Sequence, residues 1–290
     1  MRDQLTFDLT PPPAAIACQR WNAARANYRP AGEPIDTTRY GVEEIDERSA
    51  RAFITRHHYS GTYPAALFRV GLLRSTPFQQ AALVGVAVFS VPMNPHAIAK
   101  HTGTDAGCEL GRFTLLDDVE ANGETFFLSR AFDLLAAQRD ASNSQRFRAV
   151  LSFSDPMPRI AADGTVTMPG HIGTIYQASN ARFVGRSSSR TLILDPNGRN
   201  LSPRALSKIR NDETGAAYAY EQLLAAGAPR RHPHESGRDY VTRALAEGPF
   251  RKLAHHGNLA YVFTIGDRRT RRDTTRTLAP ALPYPKKLTA

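Results

Sequence analysis

Residues 82–91, ALVGVAVFSV, limit most what this chain can fold into. A run so rich in valine has no polar face to offer water, so it belongs inside a sheet that is covered on both sides. Residues 67–73 read as a neighbouring strand, with Gln79-Gln80 between the two as in a hairpin. A third strand, residues 108–115, leads through Asp117-Asp118 to Asn122-Gly123, after which Phe127, Ala131, Leu134 and Leu135 recur at helical spacing. Asn122 is the expected N-cap of that helix, and unpaired N–H groups at such a start can hold a phosphate. Residues 149–153 form a fourth strand, stopped by Asp155-Pro156 because proline forces the residue before it out of helical geometry. Residues 190–194 form a fifth, closed by Asp195-Pro196-Asn197-Gly198. Strands alternating with helices in this way predict a mixed α/β sheet.

The remaining stretches complete the expected organisation. Residues 1–38, with Pro11-Pro12-Pro13 and Pro30, read as an N-terminal arm. Residues 42–58 are helix-like and end at His57-His58-Tyr59-Ser60-Gly61. Thr174 stands three residues before Gln177, as in a capping box, and Gly185 reads as a left-handed stop, which predicts a helix of about ten residues between them. Tyr176 and Asn180 would then stack a turn apart on one face. After residue 200 the chain turns basic: Arg204, Lys208 and Arg210 lie along a predicted helix, and residues 229–234 look like a linker. A last strand at 259–265 runs into Arg268-Arg269-Thr270-Arg271-Arg272. The expected partition is an arm (1–38), a catalytic domain (39–200) and a basic extension packing on it (201–290).

Charge narrows the partners. Against 27 Asp and Glu stand 37 Lys and Arg, a formal net charge of +10, so polyanions are attracted and nucleic acid is the commonest partner of that kind. The two cysteines, Cys18 and Cys108, exclude a disulfide framework and a four-thiolate zinc site, and fit a reducing, cytoplasmic setting. No export signal or bilayer-spanning run is expected.

Asp155, at the C-terminal mouth of its strand, and Tyr176, on the helix that follows, carry the candidate chemistry: a carboxylate to take a proton and a phenol to give one. Each has a plainer reading, Asp155 as a turn former and Tyr176 as core. His58 and His171 are equally readable as helix-end or loop residues. With Asp155 they are a donor set that iron or another transition metal accepts, although no HxH or HxxxH spacing supports one.

Several motifs resemble those of a known family: His58-Tyr59-Ser60-Gly61, Glu109-Leu110-Gly111-Arg112, Glu124 to Arg130, Ser152-Phe153-Ser154-Asp155, and Gly170 to Asn180. Between about residues 40 and 200 the chain is similar to GNAT-type acyltransferases and, more narrowly, to the phage Mom proteins, which convert adenine in DNA to a carbamoylmethyl form and so shield phage DNA from restriction. The resemblance implies a GNAT-like, mostly antiparallel sheet with a splay, flanked by helices, and an acyl-thioester donor such as acetyl-CoA lying in the splay. One departure is that the helix after Asn122-Gly123 lacks the glycine-spaced pyrophosphate loop common in GNAT enzymes.

On this reading Asp155, Tyr176, His58 and Ser60 are catalytic, and Tyr59, Arg112, His171 and Asn180 bind substrate. Asn122, Gly123, Glu124, Thr125 and Ser129 hold the donor, while Lys208, Arg210, Arg268, Arg269, Arg271 and Arg272 hold double-stranded DNA. A base buried in a duplex must leave the stack to react, and Tyr59, Tyr63 and Phe183 are the aromatic residues considered for its slot. Simple acyl transfer gives an amide, whereas the family's product is joined through a methylene and carries an additional nitrogen. Two other functions share the scaffold: an N-acetyltransferase acting on a small amine or protein, and a non-catalytic DNA-binding protein. A homodimer is compatible with all three.

Overall fold

A computed structural model describes residues 16–22, 25–30, 34–94, 96–168 and 170–286. Residues 1–15 of the expected arm lie outside them. Within the arm, β1 (Ile16–Asn22) pairs antiparallel with β2 (Arg25–Pro30).

β3 (Tyr40–Glu44) replaces the start of the helix expected from residue 42. Val42 pairs with Leu72 in an antiparallel ladder. The helix α1 (Glu47–His57) begins only after Asp46, whose carboxylate accepts from the Ser49 N–H at 2.9 Å and so fixes the start. β4 (Ala66–Arg74) and β5 (Ala82–Ser90) follow as expected, and the valine-rich β5 is buried from Val84 to Ser90. A short helix α2 (Ala97–Thr102), absent from the sequence reading, precedes β6 (Gly107–Leu115).

The crossover helix α3 (Gly123–Ala136) leads to β7 (Ala149–Ser154), which is parallel to β6. Asn122 precedes α3 but does not cap it through its side chain, because its backbone is left-handed (φ 66°). β6 and β7 pair only from Gly107↔Ala149 to Glu109↔Leu151 and then part. Just beyond, β6 carries a bulge against β5, the register shifting between Phe89↔Leu110 and Val88↔Arg112. Gly111 stands there because a Cβ would collide with Ser90 Oγ.

After β8 (Arg159–Ile160) and β9 (Val166–Met168), a two-stranded ribbon, comes α4 (Thr174–Ala178). It is half the expected length. Asn180 takes the left-handed conformation (φ 59°), and the Ala181 N–H reaches Tyr176 O at 2.9 Å while the Asn180 N–H reaches Gln177 O at 3.1 Å, a Schellman stop. Asn180 therefore lies past the helix end, not a turn above Tyr176, and Gly185 sits inside β10 (Arg182–Arg186).

β11 (Arg190–Leu194), α5 (Pro203–Arg210), α6 (Ala217–Ala225), α7 (Gly237–Glu247) and β12 (Arg251–His255) follow, then β13 (Leu259–Thr264) and α8 (Arg268–Thr277). The central sheet has the order β10-β13-β7-β6-β5-β4-β3, so the fold is the expected mixed, mostly antiparallel sheet flanked by helices. β13, read from the sequence as part of the basic extension, returns to this sheet between β10 and β7. β11 instead pairs with β12 in a separate ribbon.

Two compact units result. The first comprises described residues of Met1–Phe153, Thr174–Val184 and Tyr261–Tyr284; the second comprises Ser154–Gly173, Gly185–Ala260 and the rest of the described C-terminus. In the first, Val86, Val88, Phe127, Leu128 and Leu151 are among the fully buried residues. In the second, α5, α6 and α7 close on Leu206, Ile209, Leu223, Tyr240 and Val241. Residues 229–234 are no linker: Tyr240 donates to Pro229 O at 3.0 Å, and the Arg231 guanidinium pairs with Asp212 at 2.6 Å. Among the described residues no helix is long and apolar enough to cross a membrane.

Candidate functional site

The first unit gathers its polar side chains where β6 leaves β7. Glu109 is the last β6 residue paired across to β7, and burial pushes its carboxyl up to about 7 from an ordinary 4.5, opposed by the charge of Arg112. Tyr176 of α4 is 6% exposed, its ring 5.4 Å from that of Tyr261 and edge-on to Phe263 at 6.1 Å. Burial drives the Tyr176 phenol well above the usual range; Tyr59, Glu109 and Tyr261 add to the shift and Arg112 opposes it. At neutral pH the phenol keeps its proton while Glu109 is poised between its two forms. Burial also lowers the Arg112 guanidinium, and Tyr59, Glu109 and Tyr176 resist that shift. Glu109, Arg112, Tyr59 and Tyr176 thus feel one another electrostatically.

Arg112 ties β6 to the loop after α1. Its Nε donates to Thr62 O at 2.9 Å and its Nη2 to Thr62 Oγ1 at 2.7 Å. In that loop His58 Nδ1 lies 2.8 Å from Ser60 Oγ and accepts from the Ser60 N–H at 3.1 Å. A backbone N–H donates only to a bare ring nitrogen, so Nδ1 carries no proton and the hydroxyl donates to it as well. The His58 ring lies 4.2 Å from that of Tyr59, so the HYSG segment presents one compact polar and aromatic face. Tyr63 is held under the Arg51 guanidinium at 4.4 Å, and Phe183 is buried against Tyr261 at 5.3 Å, so both belong to packing rather than to a slot for a base.

A cavity of about 460 Å³ lies in the same unit, between α3, the end of α4 and the end of β13. Thr125, Ser129 and Asn180 line it together with Ser179, Phe263 and Arg271; Asn122, Gly123 and Glu124 do not. Phe263 is shared, because it walls the cavity and also touches Tyr176. Of the residues expected to hold a thioester donor, Thr125 and Ser129 therefore face a space able to take part of one.

Asp155 belongs to the second unit, and its carboxylate is fully engaged there. Oδ1 accepts from the Met157 N–H at 3.0 Å and from His255 Nε2 at 2.9 Å, while Oδ2 takes the guanidinium of Arg159. His255, itself buried, accepts at Nδ1 from the Gly257 N–H at 3.0 Å, so Nε2 carries the proton given to Asp155. His171 adjoins the cluster through its N–H, 2.7 Å from Asp155 O. Burial lowers its imidazole, against the pull of the Asp155 charge, which keeps it neutral near pH 7. With both oxygens occupied by donors, the Asp155 carboxylate is placed to anchor Arg159, His255 and the turn at Met157.

Among the described residues no group of three or more His, Cys, Asp or Glu is placed to hold a metal. His58 falls in the first unit and His171 with Asp155 in the second. The candidate DNA contacts also fall in both units. In the second, Lys208 lies over the Tyr218 ring at 5.0 Å and Arg210 is exposed. In the first, the arginine cluster forms the helix α8 instead of a tail, with Asp267 capping it through the Thr270 N–H at 2.7 Å.

Glu109 is the candidate site residue that sequence reasoning missed. It stood in the quoted ELGR motif, but a charged residue in a strand carries no mark of its burial. Its place at the last rung of a three-rung parallel ladder is a property of the fold.

The profile of the Mom protein family matches residues 39–240. No curated protein matches the chain. Among solved structures, the chain is similar to a tandem GNAT protein from the clavulanic acid biosynthesis pathway, without acetyl-CoA, at 9% identity over 79% of this chain and 99% of that one, with a TM-score of 0.38. It is also similar to the GNAT-like decarboxylase GphF in complex with isobutyryl-CoA, at 10% identity over 77% and 98%, with a TM-score of 0.29.

Two stability measurements separate the two carboxylates. Between about pH 4.5 and 7 the unfolded chain ionises Glu109 while the folded chain keeps its proton, so this group makes stability fall as pH rises through that window. Glu109→Gln should therefore raise the denaturant midpoint at about pH 8 and leave it unchanged at about pH 4. Asp155→Asn takes the counter-ion from the half-buried Arg159 and a charged acceptor from the Met157 N–H and His255, and should cost about 1–3 kcal/mol at neutral pH. A midpoint for Asp155→Asn equal to the parent's would contradict the anchoring role.

Proposed function

The chain belongs to the Mom protein family, and from that premise we propose that it is a transferase that modifies the exocyclic amine of adenine in DNA, the carbamoylmethyl form being the finer reading. The observation that carries this is the Glu109–Tyr176 pair: a desolvated carboxylate near neutrality beside a phenol that holds its proton. General acid–base transfer to a nucleophile with a delocalised lone pair needs both.

The roles follow from the positions. An acyl-thioester donor supplies an activated carbonyl and a thiolate to be released, and Thr125 and Ser129 are assigned to hold it. The adenine amine attacks that carbonyl as Glu109 takes its proton, and the carbon–sulfur bond breaks, so these steps deliver an amide-linked acyl group. Tyr176 gives its proton to the departing thiolate. Arg112 keeps the Tyr59–Thr62 loop against β6, so Tyr59 can receive the face of an extruded base, and the His58–Ser60 pair stiffens that loop. Asp155 is assigned to anchoring His255 and Arg159, with His171 beside it, and Asn180 to ending α4. Lys208 and Arg210 on one unit and Arg268, Arg269 and Arg272 on the other are assigned to DNA phosphates, which makes binding strongly salt-dependent.

Nucleoside mass analysis of plasmid DNA from cells expressing the chain tests the reading. A mass-shifted deoxyadenosine is expected, and the size of the shift tells an amide-linked acyl group from a carbamoylmethyl group. Tyr176→Phe should reduce the modified fraction by about a hundredfold or more while the protein stays folded. Unmodified DNA together with acylation of a free amine would transfer the chain to the small-amine acyltransferases. Unmodified DNA with tight duplex binding and no acyl transfer would make it a binding protein.

A further inference from the structure

Five arginines, Arg268, Arg269, Arg271, Arg272 and Arg276, crowd the helix α8, but its geometry divides them. Thr274 is the buried residue of the helix, which fixes the inward face. Arg268, Arg269, Arg272 and Arg276 fall on the opposite side. The last three share one counter-ion, Asp273, at 3.9, 3.6 and 3.4 Å. Arg271 stands one turn before Thr274, on the flank of the inward face, and lines the cavity beside α3. Among the described residues its guanidinium has no ion-pair or hydrogen-bond partner.

The cavity wall also carries Ser129 of α3, an exposed residue whose hydroxyl is a further donor. Asp133, the one carboxylate on the wall, is exposed and already paired with Arg130 at 3.8 Å. An unpaired guanidinium and an exposed serine on one cavity of about 460 Å³ suit an anion with several acceptor oxygens. Arg271 lies beyond residue 240, outside the stretch matched to the family.

We infer that Arg271, with Ser129, clamps a phosphate of the acyl-thioester donor, and that α8 thereby serves two anions, the donor's phosphate on its inner flank and DNA phosphates on its outer face. This rests on the thioester-donor reading of the proposed function. It gives the chain a phosphate contact in place of the glycine-spaced loop that α3 lacks.

Calorimetric titration of the full chain tests it, with coenzyme A as one probe and pantetheine, which has no phosphate, as the other. The parent should bind coenzyme A more tightly than pantetheine. Arg271→Ala should weaken coenzyme A binding between about tenfold and a hundredfold and leave pantetheine binding unchanged. Arg271→Lys should fall between, since it keeps the charge and loses the fork. Arg56→Ala, an exposed change elsewhere in the unit, should alter neither. Because Arg271 is exposed and unpaired, its variants should melt with the parent. Coenzyme A binding by Arg271→Ala equal to the parent's would overturn the inference. So would weakened binding to a DNA duplex with coenzyme A binding intact, which would return Arg271 to the DNA surface. A parent chain that binds neither probe would remove the thioester-donor reading itself, and this inference with it.

Discussion

Three rungs of parallel ladder, Gly107↔Ala149 to Glu109↔Leu151, and the parting that follows them set the character of the whole first unit. A sheet that stayed zipped would bury only apolar side chains at this level. Where β6 and β7 separate, and β6 is further bent by the bulge at Gly111, charged and phenolic side chains are drawn out of water. Their ionisation then answers to burial first and to one another second. That ordering is the one found for Glu109, Arg112 and Tyr176 alike. Ionisation at this place is therefore a consequence of how the strands diverge, not of any single residue. Cys108, one residue from Glu109, shows the limit of the effect: the same burial raises its thiol and keeps it protonated, which leaves it no use as a nucleophile.

The two units solve the problem of a buried carboxylate in opposite ways. Asp155 is surrounded by donors, from Met157, His255 and Arg159, and spends its charge on holding them. Glu109 is paired poorly for its burial, so its charge is unfavourable and its proton exchangeable near neutrality. A satisfied carboxylate makes structure; an underpaired one is available for reaction. The same contrast separates the arginines of α8. Three of them surround Asp273, whereas Arg271 lines a cavity and pairs with no carboxylate among the described residues.

Much of this was legible in the residues. The valine-rich run gave β5 its central place, Asp155-Pro156 marked the end of β7, and helical periodicity from Phe127 onward located α3. The misreadings have physical causes. The apolar spacing that includes Val42 predicts a helix, but the cap at Asp46 postpones α1 and leaves Val42 to β3. The helix from Thr174 was drawn to Gly185 because glycine is the usual left-handed stop, whereas Asn180 takes that conformation here and Phe183 is drawn into the core against Tyr261. β13 looked like an appendage because nothing local says that a strand so late in the chain inserts between β10 and β7. At the site, Tyr176 was visible through its motif and Asp155 through its turn. Glu109 was not, because burial in a strand depends on partners distant in sequence.

The account turns on one ionisation. Carbon-13 NMR of the full chain, with the glutamate side-chain carboxyls labelled and Glu109 assigned by its loss in Glu109→Gln, reads it directly. The Glu109 signal is expected to titrate with a midpoint near 7. A midpoint near 4.5, that of a carboxyl open to water, would mean that the parting of β6 and β7 is wet and that Glu109 and Tyr176 are not set against each other for proton transfer.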